Sequence, residues 1–234
     1  MAARPLIIAI DGPSGAGKGT VARTVAARLA YRHVDTGAMY RSVAWKALQH
    51  GVDLTDGDAV ARVARATAFD LGARTLVDGQ DVTAAIRTPA IDDAAAIVAR
   101  HQAVRAVLVE RQRLYGATGG VVMEGRDIGS VVFPDADVKV YLDALPEERA
   151  RRRAVDAAHG AGRAATAVDL VAQALEARDR SDRTRHVSPL TKARDAVYID
   201  TTGVPIEDVV RHVMAIVEAR RTADGGTNDP GRAS

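Results

Sequence analysis

The chain has 234 residues and a formal net charge of +2, with arginine far outnumbering lysine and no cysteine at all. That length fits one substantial core with small appendages rather than two independent enzymes. Disulfides and thiolate metal sites are excluded, and no uninterrupted apolar run approaches a membrane span.

The first residues lack the layout of a signal peptide, so the expectation is a cytoplasmic protein. The excess of arginine matters because its planar fork suits bidentate clamping of phosphates.

The first element is an apolar strand, Leu6 to Ile10, which runs through Asp11 into Gly12-Pro13-Ser14-Gly15-Ala16-Gly17-Lys18-Gly19-Thr20 and then into a helix. Glycines at 12, 15 and 17 admit backbone conformations closed to other residues, so successive N–H groups can point at phosphate oxygens. Lys18 adds a point charge, and the positive end of the helix dipole falls on the same anion. Strand, glycine-rich loop, lysine and helix in that order predict a site for a nucleoside triphosphate. The general motif has Ser or Thr directly after the lysine to hold Mg²⁺. Here Gly19 stands there and Thr20 follows, as in the loops of nucleoside monophosphate kinases.

A second strand is predicted over Arg32 to Asp35, then a helix whose face carries Tyr40, Val43, Ala47 and Leu48. Phe69 to Val82 breaks the helical rhythm with short apolar pieces and the turn residues Gly72, Asp78 and Gly79. That pattern predicts a small antiparallel insert, flanked by helical stretches at Asp58 to Thr67 and Ala90 to Val109. Further strands are expected at Val121 to Glu124, Val138 to Asp143 and Ala196 to Asp200. Pro146 opens a helix carrying Arg149, Arg151, Arg152 and Arg153, four cations that repel one another unless anions arrive, ahead of His159-Gly160-Ala161-Gly162 as a hinge. Another helix covers Val168 to Arg180. The last, after Pro205, has an apolar face of Ile206, Val209, Val210, Val213, Ile216 and Val217. From Thr222 to Ser234 the composition turns polar and a frayed tail is expected.

Strands alternating with helices predict an α/β, P-loop three-layer fold with a five-stranded parallel sheet. Ligands then belong at the carboxyl ends of the strands, where Asp11, Asp35, Glu124 and Asp143 fall. Trp45 and the histidines have no supporting constellation and read as packing or surface residues.

Four further motifs stand beside the phosphate loop: Asp35-Thr36-Gly37-Ala38-Met39-Tyr40-Arg41; Asp81-Val82 with Ile86-Arg87; Glu124-Gly125-Arg126-Asp127-Ile128-Gly129; and Arg178 to Arg185 followed by Ser188-Pro189-Leu190. Together they resemble the bacterial cytidylate kinases, a branch of the nucleoside monophosphate kinase family, from about Leu6 to Arg220. The resemblance implies transfer of the γ-phosphoryl group of ATP, with Mg²⁺, to CMP or dCMP. It implies one kinase domain over residues 1–221, with a monophosphate-binding insert at about 58–109 and a short lid at about 149–163, before the tail at 222–234.

Roles follow by the same resemblance. The glycine-rich loop from Gly12 to Thr20 and Arg152 bind ATP. Lys18, Arg126, Arg153 and Arg185 neutralise the charge brought together in the transfer. CMP is held by Thr36, Arg41, Arg105, Arg126, Asp127, Arg178, Asp182 and Arg185. In that set Arg178 and Asp182 approach the ribose, while Arg41, Arg126 and Arg185 surround the phosphate. Asp127 accepts from the exocyclic amine of cytosine, with Arg105 on the other side of the base. Glu124 and Asp35 are the candidates for orienting Mg²⁺ through water. Ala96 occupies a position where the family often has a serine near the base, which weakens the case for cytosine over uracil.

The substrates expected are therefore ATP and CMP or dCMP, with no nucleic acid, no membrane and a monomeric chain. A rival reading, a GTPase-like switch, needs an Asn-Lys-x-Asp element, and the single asparagine is Asn228 in the tail. Nucleic-acid binding would need stacking platforms, and there are two phenylalanines and one tryptophan.

Overall fold

The structure is a computed structural model and describes residues 4–155, 166–185 and 188–225. Five parallel strands form the central sheet: β1 (Ile7–Asp11), β2 (Arg32–Asp35), β6 (Val121–Gly125), β7 (Val138–Asp143) and β8 (Val197–Asp200), in the order β2-β6-β1-β7-β8. Three short strands, β3 (Phe69–Leu71), β4 (Thr75–Val77) and β5 (Gln80–Asp81), pair antiparallel in the predicted insert.

Side chains alternate across β1 and β6 and so feed two cores. Ile8, Ile10 and Val122 pack with the apolar faces of α1 (Lys18–Leu29) and α8 (Ile206–Gly225). Ala9, Val121 and Met123 face the other way, onto α2 (Thr36–Gln49), α3 (Gly57–Arg65), α4 (Pro89–Val98) and α5 (Gln102–Gly116). Strands buried on both faces read in sequence as continuous apolar runs, which is why they were legible.

Register decides where the polar groups meet. Ile10 pairs with Glu124, Asp11 with Gly125 and Asp35 with Glu124, so the ends of β1, β2 and β6 lie level on one rim.

Three expectations are corrected and one element is new. The helical stretch Ala90 to Val109 is two helices, broken where His101 takes an extended conformation and its Nε2 meets the Leu54 carbonyl at 2.7 Å. The helix expected over Val168 to Arg180 is α7 (Thr166–Thr184), longer at both ends. Ile128 to Val132, given no helical form by pattern, wind into a π-helical turn. The final helix passes the expected boundary and runs to Gly225; Thr222 Oγ1 donates to the Glu218 carbonyl and Arg221 reaches the Tyr31 hydroxyl, so extension costs little. The expected hinge at 159–162 lies outside the described residues.

Candidate nucleotide cleft

Gly12, Gly15 and Gly17 all have positive φ, +145°, +80° and +87°. At Gly12 a Cβ would sit 1.9 Å from the Leu142 carbonyl oxygen of β7, so neither the conformation nor the space admits a side chain. Gly17 caps α1 without any side-chain acceptor, which leaves the first N–H groups of that helix directed at whatever occupies the loop. Lys18 is buried and its Nζ donates to the Pro13 carbonyl at 2.6 Å. Burial, with repulsion from Arg126 next, pushes its ammonium down to about 7.

The loop is propped from beneath. Arg149, in α6 (Pro146–Val155), donates to the Ser14 carbonyl at 3.0 Å and to the Ala144 carbonyl at 3.0 Å, and pairs with Asp179 of α7. The four arginines of α6 therefore do not wait for anions. Arg149 is a buried strut, Arg151 and Arg152 share Glu148 at 2.8 Å each, and Arg153 pairs with Asp92. Arg152 also reaches the hydroxyl and carbonyl of Thr201, at 2.9 and 2.6 Å.

A cleft of about 2030 Å³ opens over the loop, beyond the roughly 300–1,000 Å³ of a single small-molecule site. Arg152 and Arg153 of α6 line it together with Arg41, Arg126 and Arg178. Each of these last three is steadied by a carboxylate: Arg41 by Asp35 at 2.8 Å, Arg126 by Asp182 at 3.0 Å and Arg178 by Asp92 at 3.1 Å. Asp35 also caps α2 by accepting from the Ala38 N–H. Burial alone would raise its carboxyl, but Arg41, that N–H and Arg87 outweigh it and hold the group at about 2.

The remaining expected residues stand behind the cleft surface. Arg185 turns inward, its Nε donating to the Ser188 carbonyl at 2.6 Å with Asp182 3.5 Å from Nη1. Asp127 and Arg105 pair with each other in the interior, their side chains 8 % and 3 % exposed. The Thr36 hydroxyl donates to the Glu124 carbonyl at 2.7 Å. The convergence expected of Arg41, Arg126 and Arg185 is thus made in the cleft by Arg41 and Arg126, with Arg178 as the third cation.

The family model for cytidylate kinase matches residues 8–219. A cytidylate kinase of Pelotomaculum thermopropionicum is 50 % identical over 220 residues, 92 % of this chain and 96 % of that protein. The chain belongs to the cytidylate kinase family. Another cytidylate kinase, from Bacillus subtilis, is 44 % identical over 222 residues, covering 93 % of this chain and 98 % of that one. A solved gluconokinase from Sinorhizobium meliloti, 14 % identical and covering 97 % of this chain and all of its own, superposes with a TM-score of 0.52 and shows the shared fold alone.

In this member of the family, the cleft has three supporting contacts that pattern reading did not foresee. Asp11 closes β1 by accepting from the Ile128 and Gly129 N–H groups, both at 2.8 Å, and so ties the loop strand to the π-helical turn after Asp127. Burial pushes its carboxyl up to about 6. His33, read as packing or surface, lies 3.1 Å from the Glu124 carboxylate, and that carboxylate stands over Gly19, where a Cβ would meet Oε1 at 3.2 Å. Asp92, mid-insert, holds two arginines of the cleft. The signal available for Asp11 and Glu124 was strand-end position; for His33 and Asp92 there was none.

Proposed function

We propose that this member of the cytidylate kinase family moves the γ-phosphoryl group of ATP to the phosphate of CMP or dCMP, giving ADP and CDP or dCDP. The observation that carries the reading is that the phosphate loop and Arg41, Arg126 and Arg178 line one and the same cleft. The bond from the γ-phosphorus to the β–γ bridging oxygen breaks as one to an acceptor phosphate oxygen forms, and ADP departs with the electron pair. The acceptor is a dianion above its second pKa of about 6, so no strong general base is required. The work is alignment and charge neutralisation.

The chain's groups divide accordingly. The loop N–H groups from Gly12 to Thr20, with Lys18 and Arg152, cradle the triphosphate. Arg153 and Arg126 flank the transferred group. Arg41 and Arg126 steady the acceptor phosphate, Arg178 and Asp182 its ribose; Arg185 supports them from behind, turned to Asp182 and the Ser188 carbonyl, and Thr36 lies beside them. Asp127, paired with Arg105 through one oxygen, offers its second oxygen to the cytosine amine, where uracil would present a carbonyl.

Mg²⁺ fits this site as a water-surrounded ion. Among the described residues no three metal-ligating side chains cluster, while the Glu124 carboxylate sits over Gly19 at the loop. Glu124 and Asp35 would hold its water shell, and the ion supplies neutralisation of the phosphate oxygens. The complete cleft within one chain supports a monomer, and the substrates themselves point to the cytoplasm. Among the described residues no helix is long and apolar enough to cross a membrane.

A coupled assay of ADP release against CMP, dCMP, UMP and AMP tests this. CMP and dCMP should exceed the other two by at least about tenfold in kcat/KM, roughly 1.4 kcal/mol of transition-state discrimination. Equal turnover of UMP removes the role given to Asp127. ADP release independent of any acceptor removes the kinase reading.

A further inference from the structure

We propose that Asp92 is a positioning residue for this transfer: its carboxylate fixes one arginine of α6 and one of α7 at set places on the cleft wall. The proposal rests on the reaction just described. Asp92 lies in the first turn of α4, behind the Thr88 cap, whose hydroxyl accepts from the Ile91 N–H at 3.3 Å, and behind Pro89. One oxygen pairs with Arg153 and the other stands 3.1 Å from Nη1 of Arg178. Three helices far apart in sequence thus meet at one carboxylate.

The exposure pattern separates the roles. Arg153 and Arg178 line the cleft, each side chain 19 % exposed, whereas Asp92 does not line it and is 12 % exposed. Burial, with Arg126 next, pulls the Arg178 guanidinium below its ordinary range, and the Asp92 charge works against both. Two guanidiniums on long stems beside Arg126 would otherwise spread apart, because like charges repel and each stem has many rotamers. The carboxylate accepts from Arg153 through one oxygen and pairs by charge with Arg178 through the other, so a single anion holds both guanidiniums near itself and limits how far they part.

The same negative charge opposes incoming phosphates. Asp92 therefore adds nothing to ground-state affinity, and its contribution falls on alignment in the transition state. That combination gives a kinetic signature that structural damage does not.

Wild type, Asp92→Asn and Asp92→Glu are compared in two-substrate kinetics with ATP and CMP, alongside their thermal midpoints. In D92N, kcat should fall about tenfold while the KM for ATP and for CMP stays level or drops; in D92E, kcat should return to within about threefold of wild type. An unchanged kcat in D92N overturns the proposal, as does a lowered kcat accompanied by raised KM values and a lower midpoint, or an equal loss in D92E and D92N. Wild-type turnover of CMP is read first: its absence sinks the proposed reaction, whereas wild-type turnover with a normal D92N sinks only the role of Asp92.

Discussion

Lys18 is an ammonium almost shut off from water, hydrogen-bonded to a carbonyl rather than to a carboxylate. Its pKa falls from 10.5 to about 7, through burial first and Arg126 second. Between those two values the unfolded chain binds a proton that the folded chain does not. This group therefore makes stability rise with pH across that window and costs stability below it. A triphosphate reverses the balance by supplying the missing anion. At pH 8, ATP binding should take up close to one proton, and at pH 6 almost none. Calorimetric titrations in buffers of different ionisation enthalpy measure the uptake directly; a value near zero at pH 8 would mean that Lys18 is already charged before the triphosphate arrives. Asp127 presents the complementary case, a buried carboxylate facing a buried guanidinium. Asp127→Ala strands Arg105 without a counter-charge and should cost about 3 kcal/mol in urea unfolding. Asp127→Asn keeps an acceptor for Arg105, should lose less, and should lower the CMP-to-UMP ratio; a full ratio in D127N would leave the carboxylate a structural role only.

At the level of elements, β1 and β7 approach so closely at Gly12 that the Leu142 carbonyl occupies the place of a side chain. Gly12→Ala must either part the two strands or move the loop, and the φ of +145° is itself closed to alanine. A loss of about 3 kcal/mol is expected, read as a fall of roughly 6 °C or more in the thermal midpoint, together with weaker ATP binding. A midpoint within one degree of wild type would contradict the contact. The helix break at His101 and the π-helical turn after Asp127 show the same lesson from the other side. Both are dictated by partners remote in sequence, the Leu54 carbonyl in one case and Asp11 in the other. Apolar spacing along a segment contains no trace of either.

Across the whole molecule, β1 and β6 sit at the centre of the sheet between two cores, and the glycine-rich loop rises from the end of β1. The insert does more than its sequence announced: through Asp92 of α4 it reaches Arg153 of α6 and Arg178 of α7. Sequence alone determined the class of fold, because doubly buried parallel strands must be apolar runs, and it determined the triphosphate loop, because three glycines and a lysine between strand and helix have a local meaning. It also singled out Arg41, Arg126, Arg152, Arg153 and Arg178, all of which line the cleft. Only the tertiary structure decided which cations face the cleft and which turn inward, separating Arg178 from Arg185 and Arg152 from Arg149. The reason is electrostatic: a guanidinium near a low-dielectric interior goes where its carboxylate or carbonyl partners are, and folding alone brings Asp92, Asp179, Asp182 and the Ser188 carbonyl to their places.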